Sequence, residues 1–121
     1  MFLATTNKAR RLLYLSYINT VSVAELERGY DELKKLLPEF TDGFQMLADL
    51  GRLESMDVAC AEIIGKTMEL LDRGGVAMIV RVIPDSSKDI GLNILSIFHY
   101  PNNPRIVTCQ TMAEAAQVLA L

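Results

Sequence analysis

Tryptophan is absent from this chain of 121 residues, histidine occurs once and cysteine twice. With no tryptophan and no aromatic cluster, nothing suggests a sugar-binding platform. His99, Cys60 and Cys109 are too few and too scattered for a zinc site. Two cysteines without a CxxC spacing make no disulfide framework either. No run of about 18 apolar residues occurs, so no membrane span is expected. The first residues carry threonines and charges where a secretory signal needs an apolar stretch, so a reducing cytoplasm is the expected location. Charge of one sign is also lacking. Twelve basic against fifteen acidic residues give a net charge of −3, which argues against a nucleic-acid partner. The one basic cluster, Lys8, Arg10 and Arg11, reads as the flank of a first strand.

What the chain does have is apolar residues. They make up 50% of the sequence, enough for one domain to bury a core without staples. The mean hydropathy of +0.23 leaves some apolar surface for a subunit contact, so a homodimer is compatible with the composition.

Strand and helix patterns alternate along the chain. Residues 1–9 read as a flexible leader and 10–121 as the domain. In 10–21, RRLLYLSYINTV, alternating residues rich in aromatic and branched side chains predict a strand. Ser22 with Glu25 then forms a capping box, opening a helix with Leu26, Tyr30, Leu33 and Leu37 on one face and Pro38 as its stop. A second strand is expected over 43–50, and a wide-striped helix from about Asp57 to Arg73, ended by Gly74 and Gly75. The continuous apolar run 76–83 suits a central parallel strand. A loop over 84–89, a short helix capped by Asp89, a strand over 105–109 and a final helix opened by Thr111 and Glu114 complete the order. Such alternation predicts an α/β domain with a central, mainly parallel sheet of four to five strands flanked by helices.

Two acids, Asp49 and Asp57, frame the stretch LADLGRLESMDVAC. They fall at the expected carboxyl end of the second strand and at the expected N-cap of the second helix. Ligands and partners of open parallel sheets engage that edge. A cap satisfies free amides and suits the helix dipole, which accounts for Asp57 without catalysis.

The stretch FQMLADLGRLESMDVAC, the helix after it, GGVAMIVRVI and the terminal TMAEAAQVL resemble the STAS domains of anti-sigma factor antagonists, the SpoIIAA-like family. The resemblance in element order spans residues 11–121, and motif-level similarity is confined to 46–60. It implies a STAS-like fold and a regulatory module that binds a serine-kinase anti-sigma factor, switched by phosphorylation of a motif serine. Asp49 and Asp57 match the family's two acids. Val58, Ala59 and Cys60 stand where the family has Ser, Ser/Thr and Gly, so the phosphoacceptor is missing. The family also opens with two strands before its first helix, whereas one is legible here. A diverged STAS-like module or a lipid-binding SEC14-like one fits both points.

Other residues are weighed beside these. Ser55 is the nearest remaining hydroxyl open to phosphorylation, and an ordinary loop serine otherwise. Cys60, in the first turn of a helix, gains a lowered pKa from the helix end if exposed and is inert if buried. Arg81 interrupts an apolar strand and needs a partner, with Asp49 as the candidate, or else serves as an anion-binding arginine. Asp85, Ser86, Ser87 and Lys88 follow the third strand on the same edge, without the glycines of a P-loop.

The sequence thus predicts a non-enzymatic protein-interaction module with no cofactor and no metal. Its expected surface is Asp49, Asp57, Val58, Ala59 and the loop Asp85–Lys88. Two alternatives stay open. One is a small-molecule or lipid-binding protein with a pocket between the 90–100 helix and the sheet. The other is a redox protein using Cys60.

Overall fold

A computed structural model describes residues 1–41, 43–85 and 89–121, and for Asp89 and Ile90 the backbone alone. Its elements are β1 (Phe2–Asn7), β2 (Leu12–Val21), α1 (Val23–Leu36), β3 (Gln45–Met56), α2 (Cys60–Arg73), β4 (Met78–Val82), α3 (Asp89–His99), β5 (Arg105–Cys109) and α4 (Met112–Leu119). The five strands lie in sequence order in one sheet. β1 is antiparallel to β2, and the other three pairings are parallel. The α/β class and the mainly parallel sheet expected from the sequence are therefore what the chain adopts.

Strand alternation divides the core in two. Leu13, Leu15, Met46, Ala48 and Ile79 share one cluster with Leu33 of α1 and with Ile64, Met68 and Leu71 of α2. Leu12, Leu47, Val80 and Val82 share the other with Ala115 and Leu119 of α4. Each strand thus sends odd and even side chains to opposite layers. Ser22 caps α1 as expected, its hydroxyl accepting from the Glu25 amide while Glu25 Oε2 accepts from the Ser22 amide. At α4 the box is half made: Thr111 accepts from the Glu114 amide, but Glu114 reaches the amide of Gln110.

Three sequence expectations need correction. Residues 1–9 are not a loose leader. Phe2–Asn7 pairs along β2, and the Phe2 ring packs edge-on to Tyr17 at 5.0 Å between centroids. That ring lies where a Cβ on Gly29 of α1 would stand, 2.3 Å away, so only glycine admits it. The second strand does not end at Leu50 but runs to Met56. Its ladder with β4 stops at Asp49 opposite Val82, while its ladder with β2 continues to Val21 opposite Met56, through two register shifts. β2 and β3 therefore overhang the sheet as a two-stranded ribbon. Finally, α2 begins at Cys60 with Ala59 at its N-cap, rather than with Asp57 there.

Candidate functional site

The overhang sets the geometry of the carboxyl edge. Leu50–Met56 of β3 carry a partner strand on the β2 side, and on the other side the chain leaves β4 through Ile83, Pro84 and Asp85. Between them runs a groove of about 370 Å³ with Leu50, Leu53, Met56, Ile83 and Leu92 in its walls and Glu54 and Asp85 among its lining residues. Beyond it, Asp57, Val58 and Ala59 form an exposed turn into α2. Asp57 Oδ1 accepts from the Ala59 amide at 2.9 Å, and the Asp57 carbonyl accepts from the Cys60 amide at 2.9 Å. Asp57 therefore does its capping work two residues ahead of the N-cap, in the turn that feeds the helix. Val58 points into water with 89% of its surface exposed. Ser55 is exposed as well, its hydroxyl 3.1 Å from that of Thr20 across the ribbon.

Asp49 does not join this surface. It is buried within the sheet, accepting from Tyr14 Oη at 3.3 Å and from the Gly51 amide at 2.8 Å. Gly51 makes room for that carboxylate, since a Cβ there would stand 3.1 Å from Asp49 Oδ1. With β3 extended as far as Met56, a rise of about 3.3 Å per residue puts Asp49 and Asp57 on the order of 20 Å apart. That spacing is too long for two carboxylates acting on one bond, which need roughly 5–9.5 Å. Asp85 is exposed beside the groove, whereas Ser86, Ser87, Lys88 and the Asp89 cap lie outside the described residues and side chains.

Arg81 does not take Asp49 as its partner. It stands opposite Ala48 in the β3–β4 ladder, and Asp49 is the next residue, so the two side chains leave the sheet on opposite faces. Arg81 is 3% exposed and points under α3. Nη1 donates to Asn93 Oδ1 at 3.1 Å, and Nη2 donates to Ser96 Oγ, which in turn donates to the Leu92 carbonyl at 2.8 Å. Tyr17 and Tyr100 lie close enough for the guanidinium to oppose the rise in their pKa. Burial nonetheless prevails, pushing Tyr17 up to about 12 and Tyr100 up as well. These groups and Leu15, Met46 and Met68 line a cavity of about 40 Å³, room for about three waters. Of the pocket expected between the 90–100 helix and the sheet, the space directly beneath α3 is nearly filled, while an open recess of about 330 Å³ lies between α3 and β5, with Ile97, Tyr100 and Ile106 among its lining.

Cys60 lies at the helix start as expected but is fully buried, its thiol 3.8 Å from the Val21 carbonyl. Burial pushes its pKa up and the Asp57 carboxylate adds to the rise, which matches the buried reading of Cys60 rather than the exposed, activated one. Cys109 is buried and shifted up in the same way. Among the described residues, no group of three or more histidine, cysteine or acidic side chains is placed to hold a metal ion, and no helix is long and apolar enough to cross a membrane.

Sequence reasoning missed the Arg81–Asn93–Ser96 clasp. The signal was there: Asn93 and Ser96 are three apart on one face of an otherwise apolar helix, and Arg81 stands alone in an apolar strand.

No protein-family model and no curated protein matches this chain. Solved structures do. An uncharacterized protein from the DUF3478 family with a SpoIIAA-like fold, from Shewanella loihica PV-4, superposes with a TM-score of 0.72 at 12% identity, over 98% of this chain and 92% of that one. The fold is SpoIIAA-like. The anti-sigma factor antagonist SpoIIAA in its unphosphorylated form gives 0.64 at 15% identity, over 99% and 98% of the two chains. The phosphorylated form of the Bacillus cell fate determinant SpoIIAA gives 0.63 at 11% identity, over 98% and 99%. The resemblance read from FQMLADLGRLESMDVAC thus agrees with the three-dimensional likeness.

Proposed function

We propose that this chain is a non-enzymatic regulatory module that docks a protein partner on its carboxyl edge, without a serine switch at the start of α2. The observation that carries this reading is the Asp57–Val58–Ala59 turn: it keeps its capping hydrogen bond, has no hydroxyl, and holds a β-branched apolar side chain almost wholly in water. Glu54, Asp57 and Asp85 are exposed around an apolar groove. Such a surface suits a partner with basic residues around an apolar contact, such as a serine-kinase anti-sigma factor or a related regulator. The fold likeness to an anti-sigma factor antagonist supports the same reading. The lipid-binding alternative is weaker, because a cavity of about 40 Å³ would have to open widely to admit an acyl chain.

Affinity capture from the native source tests this, with the wild type beside Asp57→Lys and Val58→Asp. Both substitutions fall on exposed positions and leave the core untouched. The expected result is one protein captured by the wild type and lost by both folded variants. Capture of the same protein by all three, or of a small molecule alone, would overturn the reading.

A further inference from the structure

Helix α3 wears its apolar side outward. Ser96, on its inner face, is buried against Arg81, while Ile94, Ile97 and Phe98 are 52%, 77% and 75% exposed. Those three residues and Gly91 follow helical spacing along one stripe. Water is a poor solvent for such a stripe, and single exposed hydrophobics do not explain three on one helix face. Beside the stripe lies an open groove of about 380 Å³, with Met56, Val58, Ala61 and Ile64 on one wall and Gly91, Leu92, Ile94 and Leu95 on the other. One patch therefore holds both projecting side chains and a recess.

We propose that this patch is a homodimer interface, with α3 packed antiparallel on α3 of a second copy across a two-fold axis. Three observations select a second copy as the occupant. First, an isologous contact needs knobs and a hole on the same surface, so that Ile97 and Phe98 of each protomer fill the groove of the other. Second, Asp57 and Asp85 both stand near the amino end of the stripe, and an antiparallel crossing keeps the two acidic ends apart while opposing the two helix dipoles favourably. Third, one aromatic side chain buries about 150–250 Å². Phe98 with Ile94, Ile97 and Val58 from both protomers, together with the groove walls, reaches the roughly 1,000 Å² a specific interface needs. At Gly91 a Cβ would meet nothing within 4 Å, so the recess is open to a neighbour. Val58 belongs to this patch and to the proposed partner edge, so self-association and partner docking exclude each other. That clause rests on the function proposed above; the dimer itself does not.

Light scattering coupled to size exclusion, over a concentration series, tests the interface without any partner. The wild type is expected to run as a dimer that dissociates on dilution. Phe98→Asp is expected to weaken association by about a hundredfold or more, because a charge is buried twice per dimer. Circular dichroism of the same variant should be unchanged, since Phe98 lies on the surface. A wild type that stays monomeric throughout the series would overturn the proposal, as would a dimer indifferent to Phe98→Asp. Sedimentation with anionic phospholipid vesicles is the companion measurement. A wild type that is monomeric in solution but bound to vesicles through Phe98 assigns the patch to a bilayer and overturns the dimer.

Discussion

Helices α2 and α3 lie side by side on one face of the sheet, and they are held there by different forces. α2 buries Cys60, Ile64, Met68 and Leu71 against the strands and keeps Glu62 and Lys66 in water. α3 contributes Leu92 and Leu95 to the same core only in part, and its remaining anchors are polar. Arg81 grips Asn93 and Ser96, His99 Nδ1 lies 2.9 Å from Glu69 Oε1, and the chain beyond it is tied to Asp72 of α2 by the backbone and side chain of Asn102. Burial of apolar surface is non-directional and large, whereas each hydrogen bond is worth a net 0.5–1.5 kcal/mol or so. A helix docked by hydrogen bonds is free to spend its apolar residues elsewhere. The difference teaches that α2 is a structural helix and α3 is available for contact.

The largest expected effect contrasts one leucine with one phenylalanine. Leu71→Ala, in the α2 core, should cost about 2–5 kcal/mol in chemical denaturation. Phe98→Ala, on α3, removes more apolar volume, yet at concentrations where the chain is monomeric it should change stability by no more than about 0.5 kcal/mol. Equal losses from the two would erase the distinction.

The groups beneath α3 give the next effect, through pH. Burial raises Tyr17 from 10.0 to about 12, so the folded state holds a proton that the unfolded chain has released. The stability this contributes is fully present below pH 10 and is lost as pH rises towards 12, on the order of 2–3 kcal/mol in all. The two buried thiols, raised from 9.0, start the decline about one unit earlier. Denaturant midpoints measured from pH 7 to 12 should be flat at first and then fall. Tyr17→Phe should make the fall between 10 and 12 shallower without abolishing it, because buried Tyr100 is raised as well and titrates in the same direction.

Arg81→Met carries the smallest global effect. Removing the guanidinium leaves Asn93 Oδ1 and Ser96 Oγ without that donor, at a cost of about 1–3 kcal/mol, so the melting temperature should fall modestly. The same change removes the grip on Asn93 and Ser96 and should loosen α3 selectively. A large drop in melting temperature would mean that Arg81 supports the whole fold.

Much of this architecture is legible in the sequence, and the failures share a cause. The strand-helix alternation, the Ser22–Glu25 box and the glycines closing α2 are local signals, and all of them hold in the structure. Phe2–Asn7 was missed because a short edge strand takes its order from β2 and from the glycine of α1 that receives Phe2. Residues 51–56 fall between the expected strand and the expected helix, yet the second half of β2 draws them into a strand. That extension moved Asp49 from an exposed edge to an interior position and separated it from Asp57. Val58 and Ala59 could be assigned to the surface because the helix start is set by local capping chemistry. The direction in which α3 faces could not, because the lone arginine that turns it lies in β4.

Hydrogen exchange followed by mass spectrometry, on the monomer at low concentration, tests the α2–α3 contrast most directly. Wild type and Ser96→Ala would be compared peptide by peptide. The expected result is that α3 amides exchange by a lower-energy opening than α2 amides, and that Ser96→Ala lowers protection of α3 by about 1–3 kcal/mol while α2 keeps its own. Equal protection of the two helices in the wild type, falling together in the variant, would contradict it.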